Sequence, residues 1–234
     1  MSNSSLVNYT QISPNSSNPR NRKISKITIH HMAGNLTVEQ CGNVFANKNR
    51  QASANYGIGT DGRVGLYVDE ANRSWATSSR ANDNIAVTIE VANDVVGGNW
   101  HVSDKALSKL IDLCTDICKR NGIKKLNFTG DASGNLNMHR YFAATACPGD
   151  YLASKFPYIA DEVNKRLSPT TTKAENTENN KKCKENNIKY IQFCRNFDDF
   201  FLLWTKRNKI RKRGFNNGRR KQGIIFYSIY NTMK

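Results

Sequence analysis

Apolar and polar residues alternate with period two along Lys26–His31 (KITIHH), which predicts a strand with Ile27, Ile29 and His31 on one face and Thr28 and His30 on the other. A second run, Ile85–Ala92 (IAVTIEVA), sets Ile85, Val87, Ile89 and Val91 against Ala86, Thr88, Glu90 and Ala92. Between the two, Thr37-x-x-Gln40 is a capping-box signature opening a helical run, and Ala54–Val68 reads as two short strands around a turn at Asp61-Gly62. Further on, Ala106, Leu107, Leu110, Ile111, Cys114, Ile117 and Cys118 recur at helical spacing behind a Ser103 cap, and Gly122 suits the position just past the helix end. A last helix is expected to start near Pro148, because proline is at home in a first turn. These alternating elements predict one α/β domain over residues 23–167, with order beginning near Ile24 after an Asn-, Ser- and Pro-rich lead-in at residues 1–22.

Charge changes the picture beyond that domain. The formal net charge is +16, and residues 168–234 hold 16 basic and 5 acidic residues, so most of the excess lies in the C-terminal part. Residues 168–189 read as a polar linker with too little apolar surface to fold, and residues 190–234 as a basic, poorly ordered tail. The tail's charge could draw it to anionic wall polymers. Its Asn, Lys, Arg and Ile bias also resembles out-of-frame translation of AT-rich DNA. A specific nucleic-acid binder is disfavoured, since the charge sits outside the domain. No apolar run approaches the roughly 20 residues of a membrane span, and the start carries no signal-peptide h-region, so synthesis in the cytoplasm without an export signal is expected. The six cysteines show no close-set disulfide framework.

The parity of the two strands singles out candidate chemistry. With the isoleucine face turned to the core, His30 looks into a cleft, whereas His31 reads as a hydrogen-bonded core histidine. Glu90 shares its face only with small residues, and an acid in a strand otherwise fit for burial costs stability unless it is paired or used. Near the domain's end, His139 and Cys147 stand eight positions apart in MHRYFAATACPGDY. Imidazole and thiolate suit zinc, and three protein ligands leave a fourth position for water, as in catalytic sites.

In order, ITIHHMAG, ANYGIGTDGRV, AVTIEVAN and MHRYFAATACPGDYL closely resemble the zinc-dependent N-acetylmuramoyl-L-alanine amidases of the type-2 family, which includes the peptidoglycan recognition proteins. The similarity runs from about Val7 to Leu167, and within the family the sequence looks like lysins of phages and prophages of clostridium-like Gram-positive bacteria. It implies a central mixed β-sheet flanked by helices, with His30, His139 and Cys147 as zinc ligands, Glu90 as general base and Thr145 as an oxyanion donor. It also implies peptidoglycan as substrate, cleaved between N-acetylmuramic acid and L-alanine at the bacterial cell wall. Some relatives have a catalytic tyrosine that aligns with Ala54; Tyr56, two positions on, is not assigned that role, which puts more weight on Glu90.

Asn55 and Trp75 are candidate substrate contacts, Trp75 because aromatic faces pack on sugars and peptides, with a packing role equally open to it. Cys41, Cys114 and Cys118 read as core filler on helices. Two other functions stay open: a cysteine peptidase of peptidoglycan using Cys147 and His139, and a non-catalytic peptidoglycan-binding module. Against the peptidase, the histidine precedes the cysteine and Pro148 follows it; against the pure binder, all three ligand positions are filled.

Overall fold

The computed structural model describes residues 2–168. Six strands form a mixed sheet: β1 (Tyr9–Thr10), β3 (Lys26–His31), β4 (Tyr56–Ile58), β5 (Val64–Leu66), β7 (Ala86–Val91) and β8 (Leu136–Met138), in the order β1-β5-β4-β7-β3-β8. Only β4 and β5 pair antiparallel; β1 with β5, β4 with β7, β7 with β3 and β3 with β8 run parallel. A separate two-stranded ribbon joins β2 (Ser16–Ser17) to β6 (Arg73–Ser74). The helices are α1 (Val38–Ala46), α2 (Arg80–Ile85), α3 (Asp104–Asn121), α4 (Asp150–Ser154) and α5 (Phe156–Leu167).

The two faces of the sheet carry different helices, and the sequence explains the division. Ile27, Ile29, Val87, Ile89 and Val91 pack with the apolar stripe of α3 and with Phe156, Ile159 and Val163 of α5 in the main core. On the opposite face α1 covers Tyr67 with Cys41 and Phe45, and α2 reaches Thr28 through Asn82. Local signals set the helix ends: Thr37 and Gln40 form a capping box on α1, Ser103 caps α3, and Gly122 ends it at φ 69°. The β4–β5 turn follows the Asp61-Gly62 signal, with Gly62 at φ 83°, a conformation a side chain would strain. Among the described residues no helix is long and apolar enough to cross a membrane.

Two expectations are corrected. Ordered structure does not begin near Ile24: β1 adds to the sheet edge, β2 pairs with β6, and Arg20 is buried, its guanidinium donating to the carbonyls of Glu70, Asn72, Asp83, Asn84 and Ala86. Strands of two residues are too short to show a period, so this arm looked like a lead-in. Nor does the last helix begin at Pro148. The chain makes a short α4 from Asp150 and a second start at Phe156, where Pro157 takes the first-turn position. The linker at residues 168–189 and the basic tail at 190–234 lie outside the described residues, apart from Ser168.

Candidate metal centre

Strand register lines up the chemistry. Across the sheet Tyr9 pairs with Gly65, Gly65 with Gly57, Gly57 with Glu90, and Glu90 with His30. Because paired residues share a face, these five form one row on the α1 side. Met138 of β8 pairs with Ile29, so the next residue, His139, leaves the sheet beside His30 and opens a 3-10 turn to Tyr141. The imidazole centroids of His30 and His139 are 4.6 Å apart. Cys147 returns to the same spot from the following loop, its sulfur accepting the His31 backbone N–H at 3.5 Å. One ligand atom each from His30, His139 and Cys147 lies within 4.8 Å of the others.

Burial without partners marks this cluster. Nε2 of His30, Nε2 of His139 and Oε2 of Glu90 are buried and make no hydrogen bond, a costly state that most buried polar atoms avoid. The other Glu90 oxygen, Oε1, is 3.9 Å from His30 Nδ1. Burial, then the neighbouring charges of His139 and His31, hold His30 well below its ordinary pKa, and burial lowers His139. Both rings are therefore neutral at pH 7, the form that ligates metals. Burial pushes the Glu90 carboxyl up to about 8, opposed by Arg50, and raises the Cys147 thiol, with Glu90's charge adding to that rise. A dication among these groups would reverse both shifts. Two neutral nitrogens and one sulfur at this separation thus suit a zinc ion with an open position.

The flank of Glu90 is shaped by missing side chains. A Cβ at Gly57 would lie 2.6 Å from the Tyr67 ring, and one at Gly65 2.5 Å from the Tyr67 hydroxyl oxygen. Tyr67 is fully buried in this trough, its hydroxyl donating to the Val38 carbonyl at 2.7 Å. Thr145 is exposed, and its Oγ1 accepts the Cys147 N–H at 3.2 Å, which leaves its own proton free to donate.

Other candidates fall elsewhere. Asn55 is buried and spends its side chain on the Val68, Asp69 and Thr88 backbone, so it braces the sheet instead of facing a cleft. Trp75 is half-buried beside β2, its indole N–H on Ser17 Oγ at 3.0 Å. Tyr56 is buried, its hydroxyl donating to Glu70 Oε1 at 2.7 Å. His31 packs edge-on against Trp100 with Asn93 beside it and is half-buried, so it is less enclosed than the core histidine expected from the sequence. Arg140, Tyr67 and Trp100 touch the surroundings of the cluster and were not singled out by sequence; an arginine directly after His139 was the one available signal.

Comparison with known proteins gives the family and the fold. The family described as N-acetylmuramoyl-L-alanine amidase matches residues 20–150, more than half of the chain, and the chain belongs to that family of peptidoglycan amidases. Among solved structures it is similar to PlyL (TM-score 0.54, 15% identity, covering 67% of this chain and 96% of that one). It is likewise similar to the PlyG catalytic domain (TM-score 0.54, 16% identity, 71% and 98%) and to the Staphylococcus aureus hydrolase AmiA in complex with its ligand (TM-score 0.54, 16% identity, 68% and 81%). At these identities the likeness is one of fold. No curated protein sequence matches significantly.

Proposed function

We propose that this protein is a zinc-dependent cell-wall lysin that hydrolyses the amide between the lactyl group of N-acetylmuramic acid and L-alanine of the peptidoglycan stem. One observation carries the reading: one ligand-type atom each from His30, His139 and Cys147 converges within 4.8 Å, in a cluster where a ring nitrogen of each histidine and an oxygen of Glu90 are buried without a hydrogen bond. His30, His139 and Cys147 would hold the zinc. Bound there, zinc supplies Lewis acidity toward the scissile carbonyl and a water whose pKa falls toward about 7.

The chain's own residues do the rest. Glu90 takes a proton from the attacking water on its free carboxylate oxygen and returns it to the leaving amine of L-alanine. Its dry, glycine-lined flank favours proton uptake, since burial already disfavours its charged form. Thr145 donates its hydroxyl proton toward the developing oxyanion. The peptidase alternative needs a thiolate at Cys147 activated by its surroundings, whereas burial and the Glu90 charge hold that thiol up.

The test is release of free amino groups and of reducing sugar ends from purified Gram-positive walls, with and without chelator and zinc add-back. New L-alanine N-termini without reducing ends, lost on chelation and restored by zinc, are expected. Release that resists chelation but stops on thiol alkylation would transfer Cys147 to the peptidase. No release under any condition would leave a binding module.

A further inference from the structure

Arg140 holds the loop that delivers the third ligand. Its backbone N–H donates to the Cys147 carbonyl at 3.2 Å, and its Nε donates to the same oxygen at 3.3 Å. One terminal nitrogen, Nη2, donates to the Ala146 carbonyl at 2.5 Å, and both Nη1 and Nη2 meet Asp150 Oδ1 at 3.3 Å. The Cys147 carbonyl has no hydrogen-bond donor other than Arg140 among the described residues. From the opposite side, the His31 amide meets the Cys147 sulfur, and Gly149, at φ 83°, packs so closely that a Cβ would lie 2.7 Å from Trp100 Cβ.

This arrangement addresses a specific mechanical problem. His30 is fixed by strand pairing: it is matched with Glu90 of β7, and the residue before it, Ile29, is also matched with Met138 of β8. His139 stands one residue past a paired strand, but Cys147 lies beyond irregular turns with no ladder to set its place. Two ligands eight residues apart chelate a metal only if the ends of their loop are tied at a fixed separation. Arg140, adjacent to His139, makes that tie directly to the peptide of Cys147. Nε, Nη1 and Nη2 each engage an acceptor of this loop, so the guanidinium is anchored to it.

We propose that Arg140 is a positioning residue for the metal, its planar fork setting where the Cys147 sulfur stands relative to His139. The proposal rests on the zinc reading above. Partners that orient metal ligands are typically worth 10–100-fold in metal affinity, and a lysine, with the same charge but a single ammonium, cannot span this set of acceptors.

The experiment measures zinc affinity by chelator competition, the thiolate-to-cobalt charge-transfer band of the cobalt-substituted protein, and the melting of the metal-free form, for wild type, Arg140→Ala and Arg140→Lys. Both variants should bind zinc about 10–100-fold more weakly and show a shifted or weakened charge-transfer band at saturating cobalt. Arg140→Lys keeps the test decisive if Arg140→Ala does not fold. Asp150→Ala removes only an ion pair to a carboxylate whose side chain is 83% exposed, so its effect should be about 5-fold or less. Unchanged affinity, an unchanged band, or full recovery by lysine would overturn the role of the fork while leaving the zinc site intact. Wild type that binds neither metal would overturn the zinc reading and this proposal with it.

Discussion

Two neighbouring rows on one face of the sheet treat their polar groups in opposite ways. The lower row, Asn137, Thr28 and Thr88, is closed on itself: Thr28 Oγ1 donates to Asn137 Oδ1 at 2.6 Å, Asn82 Nδ2 donates to Thr28, and Thr88 bonds Asn55 and Ser74. Two residues along the same strands, His30, Glu90 and His139 keep buried atoms with no partner. Both rows are deeply placed and both are polar, so burial alone does not distinguish structure from function. The difference is satisfaction. A polar row that answers its own hydrogen bonds braces the fold, and one that does not is arranged for something that arrives later.

The largest test of this contrast removes a ligand. His139→Ala should abolish zinc binding and reduce wall hydrolysis to background, while the metal-free protein melts as wild type or higher because an unpaired buried nitrogen is gone. A large loss of metal-free stability instead would place His139 with the bracing row. Next comes Glu90→Gln, expected to keep zinc stoichiometry and lower turnover by about 10²–10⁴-fold; near-normal turnover would remove Glu90 from the chemistry.

The bracing row should respond in stability alone. Asn55→Ala strands buried backbone groups and should cost about 1–3 kcal/mol in denaturant unfolding, with KM unchanged in the folded fraction; a raised KM at wild-type stability would return Asn55 to the substrate. The last test concerns pH. Burial raises the Glu90 carboxyl from 4.5 to about 8 in the metal-free fold, so its contribution to stability is full below the lower value and lost as pH rises through the upper one. Metal-free wild type should therefore lose melting temperature relative to Glu90→Gln between about pH 5 and 8, and parallel melting curves would show that the carboxyl does not titrate there.

Much of the active row was legible because it lies on long strands. Six residues of alternating pattern in β3 and in β7 were enough to place His30 and Glu90 on one face, and parallel pairing then put them side by side. Ligand chemistry and spacing pointed to His139 and Cys147, the resemblance to a family added weight to them and supplied Thr145, and no periodicity could reach any of the three, since they follow the sheet in irregular turns. What stayed hidden depends on partners distant in sequence. Asn55 looks like a cleft residue until its 13- and 33-residue-distant partners, Val68 and Thr88, are known. Arg20, in an arm without period, meets carbonyls 50 to 66 residues away. Arg140 is next to His139 in sequence, yet its side chain is held by carbonyls six and seven residues on.

The trough beneath Tyr67 carries a last consequence. Positions 57, 65 and 67 share a single volume, two of them contributing nothing so that the third can fill it. Substitutions there should be tolerated only in sets: alanine at 57 or 65 requires a smaller residue at 67, and that exchange opens the wall next to Glu90 to water. In a lineage of such proteins, the surroundings of Glu90 could thus drift through trades in bulk among these three positions, with Glu90, His30, His139 and Cys147 left as they are.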